Sequence, residues 1–258
     1  MTSSSGIATP RIAWRVAVVR AVKQETSRTR TIFLEVLGWP GHLAGQHVDV
    51  RLTAPDGYQA QRSYSIASPP DEKLIALTVE GLEDGEVSSY LCGELRQGDE
   101  LELRGPIGGY FVWRATDGGP LLLVAGGSGI VPLMAMLRHR ATALAGQAVR
   151  EAAPARLLYS SRSFSDVIYR EELDRMAADD DSMRVVHTIT RDAPAEWTGY
   201  RRRIDRAMLE EVGWPPSDQP NIFVCGPTPM VEAAASALVA AGHDPQRVRT
   251  ERFGPTGS

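Results

Sequence analysis

The sequence predicts two domains: residues 1–116 as an antiparallel β-barrel carrying one helix, and residues 117–258 as an α/β domain whose parallel sheet has helices on both faces. Three observations predict this. The first half carries short alternating or β-branched apolar runs with almost no helical periodicity, the pattern of a small closed or nearly closed barrel. In the second half apolar runs alternate with helical stretches, the rhythm of a parallel sheet covered on both sides. Between them, Thr116-Asp117-Gly118-Gly119-Pro120 gathers turn formers into a linker.

In chain order, strands are expected at 14–19, 31–36, 47–52, 74–79 and 100–104, between Gly, Pro and Asp punctuation, with the lone helix of this half at 88–95. Beyond the linker, strands are expected at 121–125, 156–160, 184–189, 221–225 and 248–253, and helices at 131–144, 166–178, 205–212 and 229–241. A chain of 258 residues buries a sizeable core without disulfide staples. Its 43% hydrophobic and 23% charged residues fit a globular protein and exclude a disordered chain.

Composition also narrows the chemistry. Net charge is −4 and the basic residues are dispersed, so neither nucleic acid nor a membrane surface is expected as a partner. Cys92 and Cys225, the two cysteines, exclude a disulfide framework and a four-thiolate cluster within the chain. The five histidines show no metal-ligand spacing, and Gly127-Ser128-Gly129 lacks the spacing of a serine nucleophile elbow. No apolar run is long enough to span a membrane. Met1 to Gly6 read as a loose tail, not a signal peptide, and a cytoplasmic protein is expected.

Several stretches carry the chemistry. Arg62-Ser63-Tyr64-Ser65 ends a strand. An arginine forks onto a phosphate, a tyrosine lies flat on an aromatic ring and a small hydroxyl bonds a ring nitrogen, the contacts a flavin nucleotide needs. The plainer alternative is a surface arginine beside a half-buried tyrosine. Gly85-Glu86-Val87-Ser88 precedes the lone helix, whose first amides suit a pyrophosphate; Ser88 serves equally as a helix N-cap.

An apolar strand opens into Gly126-Gly127-Ser128-Gly129 and then a helix, the context of a second pyrophosphate site. Arg162 and Arg191 fall at strand carboxyl ends, where an arginine pairs with a ribose 2′-phosphate, so NADPH is favoured over NADH; solvated loop arginines are the alternative. Cys225-Gly226-Pro227 closes another strand, with the thiol placed to border a nicotinamide or simply buried as a small apolar group. Glu251 and Phe253 offer a carboxylate and a ring at the last strand.

In this order the motifs resemble the ferredoxin-NADP+ reductase superfamily: Arg-x-Tyr-Ser, a glycine-serine phosphate turn, Gly-Gly-x-Gly-x-x-Pro and Cys-Gly-Pro, over residues 62–253. The resemblance implies a barrel that binds FAD and an α/β domain that binds NAD(P)H. It puts Arg62 at the flavin phosphate, Tyr64 on the isoalloxazine and Ser65 near its N5. Val79 and Glu80 then lie by the ribityl or adenosine side, and Glu86, Val87 and Ser88 at the pyrophosphate. Gly127, Ser128 and Gly129 line the nicotinamide nucleotide, Arg162 and Arg191 hold its 2′-phosphate, and Cys225 with Gly226 and Pro227 borders the nicotinamide. Glu251 matches a carboxylate near the flavin and Phe253 a terminal aromatic. Tyr64, Ser65, Cys225 and Glu251 are thus the implied catalytic set. The implied reaction passes hydride from NADPH to flavin and single electrons to a separate ferredoxin, flavodoxin or oxygenase component. Alternatives are a free-flavin or ferric-chelate reductase, or a non-catalytic electron-transfer or regulatory flavoprotein subunit.

Overall fold

The computed structural model describes residues 12–146 and 153–253. The tail expected at Met1 to Gly6 lies outside the described residues. The first half holds β1 (Trp14–Thr26), β2 (Thr29–Val36), β3 (His47–Thr53), β4 (Gln59–Ser65), β5 (Ile75–Glu80), α1 (Glu86–Gly93) and β6 (Glu100–Ile107). They form a six-stranded antiparallel sheet in the order β4-β3-β6-β1-β2-β5.

Period-two alternation turns Ala17, Val19, Ile32, Leu34, Val48, Val50, Leu77, Val79, Leu101 and Leu103 into one interior, with Val87 and Leu91 of α1 packed into it. Each large aliphatic side chain so buried contributes roughly 1.5–3 kcal/mol. The two edges of the sheet then meet: Ile66, just past β4, bridges Leu77 of β5, and the Ala67 amide donates to the Ala76 carbonyl at 2.7 Å. That seam makes the sheet a nearly closed barrel, as its short, evenly spaced strands predict.

The second half holds β7 (Leu121–Gly126), α2 (Ile130–Ala145), β8 (Ala155–Ser163), α3 (Arg170–Asp179), β9 (Met183–Asp192), α4 (Arg206–Val212), β10 (Asn221–Pro227), α5 (Thr228–Ala240) and β11 (Val248–Phe253). Its five strands are parallel, in the order β11-β10-β7-β8-β9. Leu121, Leu123 and Ala125 of β7 pack with residues of α2 and α3, while Leu122 and Val124 pack with α4 and α5. Helices therefore cover both faces, as expected.

Some boundaries differ from the expected ones for local reasons. β1 runs on past residue 19 through a bulge between Val19 and Ala21. α1 starts two residues early because Gly85, not Ser88, is its N-cap; the Ser88 hydroxyl instead donates to the Gly85 carbonyl and accepts from the Leu82 amide, both at 3.2 Å. The helix expected at 166–178 is divided. A single 3-10 turn, Phe164–Asp166, comes first, and Tyr169 in the left-handed conformation (φ 60°, ψ 21°) redirects the chain into α3. The two halves also share a core: Ala44, Ala67, Ala76, Phe111 and Trp113 belong to the same buried cluster as Leu121, Leu133 and Leu137.

Candidate functional site

The pairing of β3 with β4 sorts the Arg62-Ser63-Tyr64-Ser65 segment by face. Val50 faces Arg62 and Val48 faces Tyr64, so these two share the face toward the barrel core; Asp49 faces Ser63 and His47 faces Ser65 on the other. Tyr64 is half-buried against that core, and burial first, then the neighbouring Cys92, pushes its phenol well above the usual range. Arg62 is exposed and donates to the Gln61 carbonyl at 2.7 Å, which leaves most of its fork open. α1 starts beside β4, and the amides of Glu86, Val87 and Ser88 in its first turn have no intrahelical acceptor. The Glu86 carboxylate is engaged sideways, accepting from the Tyr58 hydroxyl at 3.0 Å.

Three sequence-predicted residues are drawn elsewhere. Ser63 donates to Asp49 at 2.6 Å, where Asp49 also pairs with Arg104 at 2.6 Å, so its hydroxyl points away from Tyr64. The Val79 side chain lies wholly inside the barrel, and its carbonyl accepts from Cys92 Sγ at 3.3 Å. Glu80 at the end of β5 pairs with Arg28 in the turn before β2 at 3.3 Å. For Ser63 and Val79 the reason is strand parity, which flips the face of every second residue.

Ser65 leads into a different group. Its hydroxyl is buried with no hydrogen-bond partner among the described residues. His47 stands directly opposite it, and His47 Nδ1 lies 3.9 Å from Glu251 Oε1 on β11 of the other half. Glu251 is in register with Cys225 on β10, and its Oε2 is also buried without a partner. Burial pushes the Glu251 carboxyl up to about 7 and the His47 imidazole down from its ordinary value. Burial, reinforced by the Glu251 charge, also lifts the Cys225 thiol well above its usual range. A neutral, buried thiol fits a positioning role and not a nucleophile. Buried polar atoms almost always find partners, so these two orphans leave hydrogen-bonding capacity at the junction for a ligand to fill. The sequence reading gave His47 only a place at the start of a strand, because only the strand register reveals that it faces Ser65.

The glycine loop and the Cys-Gly-Pro turn interlock. A Cβ on Gly129 would sit 2.2 Å from the Cys225 carbonyl oxygen, and one on Gly226 would sit 3.0 Å from the Gly126 carbonyl oxygen. Only glycines allow β7 and β10 to end this close together. Gly127 adopts φ +53° with open space beyond it, and Ser128 beside it is partly exposed, leaving a face of backbone at the start of α2 for a ligand to approach. Arg162, in a bulge at the carboxyl end of β8, and Arg191, near the end of β9, are both exposed, and neither forms an ion pair among the described residues. Arg201 and Arg202, by contrast, are engaged locally: Arg201 donates to the carbonyls of Pro194 and Trp197, and Arg202 pairs with Asp205. Phe253 ends β11 opposite Pro227 and packs partly against the shared core.

Residues 21–112 match the family described as the oxidoreductase FAD-binding domain, and residues 123–236 match the oxidoreductase NAD-binding domain. The glycine betaine monooxygenase reductase subunit of Pseudomonas aeruginosa is 34% identical over 216 residues, covering 82% of this chain and 56% of that protein. This chain therefore spans little more than half the length of that relative. NADH-cytochrome b5 reductase 1 of Pyricularia oryzae is 30% identical over 212 residues, covering 80% of this chain and 66% of that protein. Among solved structures, the Amycolatopsis cytochrome P450 reductase aligns with a TM-score of 0.79 at 28% identity, over 99% of this chain and 74% of that one. A ferredoxin NADP+ reductase from Neisseria gonorrhoeae, solved with bound FAD and NADP, shares the fold with a TM-score of 0.76 at 21% identity, over 95% and 99% of the two chains. Barrel, parallel sheet, interlocked glycine turns and matched domains agree: the chain joins an oxidoreductase FAD-binding domain to an oxidoreductase NAD-binding domain in a ferredoxin-NADP+ reductase-like fold.

Proposed function

We propose that this chain takes hydride from NADPH onto FAD and delivers the electrons singly to a separate protein, such as a ferredoxin, a flavodoxin or an oxygenase component. The observation that carries this reading is the junction where the orphaned Ser65 Oγ and Glu251 Oε2 meet His47 and Cys225, between the open Arg62 fork and the glycine loop. These residues fit the cofactors. In this reading residues 1–116 hold the flavin and 117–258 the nicotinamide nucleotide.

Arg62 and the first-turn amides of α1 neutralise the flavin phosphates, the Tyr64 ring forms a platform and Ser65 Oγ donates toward the ring edge. Ser63 and Val79 keep the strands in register. Gly127, Ser128 and Gly129 admit the second nucleotide, Cys225, Gly226 and Pro227 form the wall beside its ring, and Phe253 flanks the entrance. Arg162 and Arg191 grip the 2′-phosphate. Several relatives are named for NADH, so the preference for NADPH rests on these two arginines. When bound, the flavin accepts hydride from the nicotinamide and releases electrons one at a time. The protein's share is to hold the rings within reach, exclude water, and keep an exchangeable proton at the Glu251 carboxyl beside His47 Nδ1.

Two cysteines cannot hold a four-thiolate cluster within these residues, so in this reading the electrons leave the two domains for an acceptor outside them. The test is retention. Purified protein should keep FAD through gel filtration and lose it in Arg62→Ala, and should reduce a ferredoxin with NADPH without added flavin. Loss of FAD from the parent, with reduction only when free FAD is supplied, would overturn the reading in favour of a free-flavin reductase.

A further inference from the structure

We infer that Arg138 and Tyr169 form a bracket that fixes the nicotinamide half against the barrel, and that both are positioning residues for hydride transfer, an inference that rests on the reductase reading above. Arg138 lies on α2, the helix launched by the glycine loop. Its Nε and Nη2 donate to the Glu172 carboxylate on α3 at 2.8 and 2.7 Å, and its Nη1 donates to the Ala67 carbonyl at 2.8 Å. Ala67 stands two residues beyond Ser65, on the seam that closes the barrel. The same guanidinium lies 4.9 Å over the Tyr169 ring. One side chain thus joins α2, α3 and the segment that continues from Ser65.

Tyr169 grips the seam from its other strand. Its hydroxyl donates to Thr78 Oγ1 on β5; Thr78 lies 2.8 Å from Thr31 Oγ1 on β2, and Thr31 donates to Glu25 at 2.8 Å. A carboxylate only accepts, so Thr31 accepts from Thr78 and Thr78 from Tyr169. Such a one-way chain, buried at Tyr169, Thr78 and Thr31 and ending on an anion, strengthens each of its bonds. The left-handed backbone of Tyr169 is one that a bulky residue adopts only where its surroundings compel it. The turn carrying it follows directly on Arg162 and Ser163 at the end of β8. Nucleotide-facing arginine and barrel-facing tyrosine are therefore parts of one short rigid segment. Neither Arg138 nor Tyr169 touches Ser65, Cys225 or Glu251; what they control is where those groups stand.

Tyr169→Phe removes only the hydroxyl, and Arg138→Lys keeps the charge but cannot make the fork to Glu172 and the bond to Ala67 together. Each FAD-loaded variant is mixed rapidly with NADPH without oxygen, and amide exchange is measured on the FAD-free full chain. Because small misplacements slow transfer steeply, flavin reduction should fall about tenfold and the long-wavelength absorbance of the stacked rings should drop, while FAD retention and the KM for NADPH stay within about twofold. Exchange at the Ala67 and Ala76 amides should quicken. Parent-like reduction and stacking absorbance in both variants, or unchanged exchange at the seam, would overturn the bracket. If the parent holds FAD but is not reduced by NADPH, the reductase reading fails by itself, and exchange at Ala67 and Ala76 still decides the bracket.

Discussion

Folding changes the chemistry of the Glu251 carboxyl. Burial lifts its carboxyl from 4.5 to about 7, so the folded state prefers the protonated form. That preference contributes its full stability below about pH 4.5, and the contribution is lost as pH rises through about 7. The shift corresponds to about 3 kcal/mol at most. Glu251→Gln should therefore melt higher than the parent at pH 8 and alongside it near pH 4.5; equal differences at both values in thermal unfolding would show that burial does not set the carboxyl. Arg162 makes a second residue-scale prediction. Replacing it with alanine should raise the KM for NADPH about tenfold or more, the loss of one charge-assisted contact, with little change for NADH. Equal effects on both nucleotides would make Arg162 a general binding residue. The sequence singled out Arg62, Arg162 and Cys225 because their types and places at strand ends are chemical signals. It did not expose His47, whose partner Ser65 is set by pairing between strands, nor the turning away of Ser63 and Val79, which is set by strand parity.

The contact between the glycine loop and the Cys-Gly-Pro turn tests the reading at the scale of elements. Gly129→Ala drives a methyl into the Cys225 carbonyl, where backbone has to move, and should lower stability by about 1–3 kcal/mol or more while loosening nucleotide binding. Gly127→Ala meets open space and pays only for its positive φ, about 1–2 kcal/mol. Chemical denaturation of the two variants should rank them in that order, and the reverse order would contradict the interlock. β7, its loop and α2 were legible because a buried apolar run, glycines and a helical stretch follow one another without interruption. The division before α3 was not. A left-handed Tyr169 is imposed by tertiary bonds, from the Ile168 amide to the Tyr159 hydroxyl and from Tyr169 to Thr78, and nothing in the local sequence announces it.

Across the whole molecule, the shared core ties barrel and sheet together. Ala67 and Ala76 at the barrel seam pack in the same cluster as Leu133 and Leu137 of α2, so the halves should unfold in one calorimetric transition; two separated transitions would contradict a common core. The plan of a barrel followed by a helix-covered parallel sheet was readable from periodicity alone, and the order of motifs indicated which half offers which contacts. What periodicity cannot show is the junction itself, because Ser65, His47, Cys225 and Glu251 come from four strands in two sheets and meet only through tertiary packing. The junction's purpose is tested most directly by mixing FAD-loaded protein with NADPH in the absence of oxygen and of any acceptor, and following the visible absorbance of the bound flavin. Rapid bleaching is the expected result. Flavin that stays bound and oxidised would contradict hydride transfer at this site.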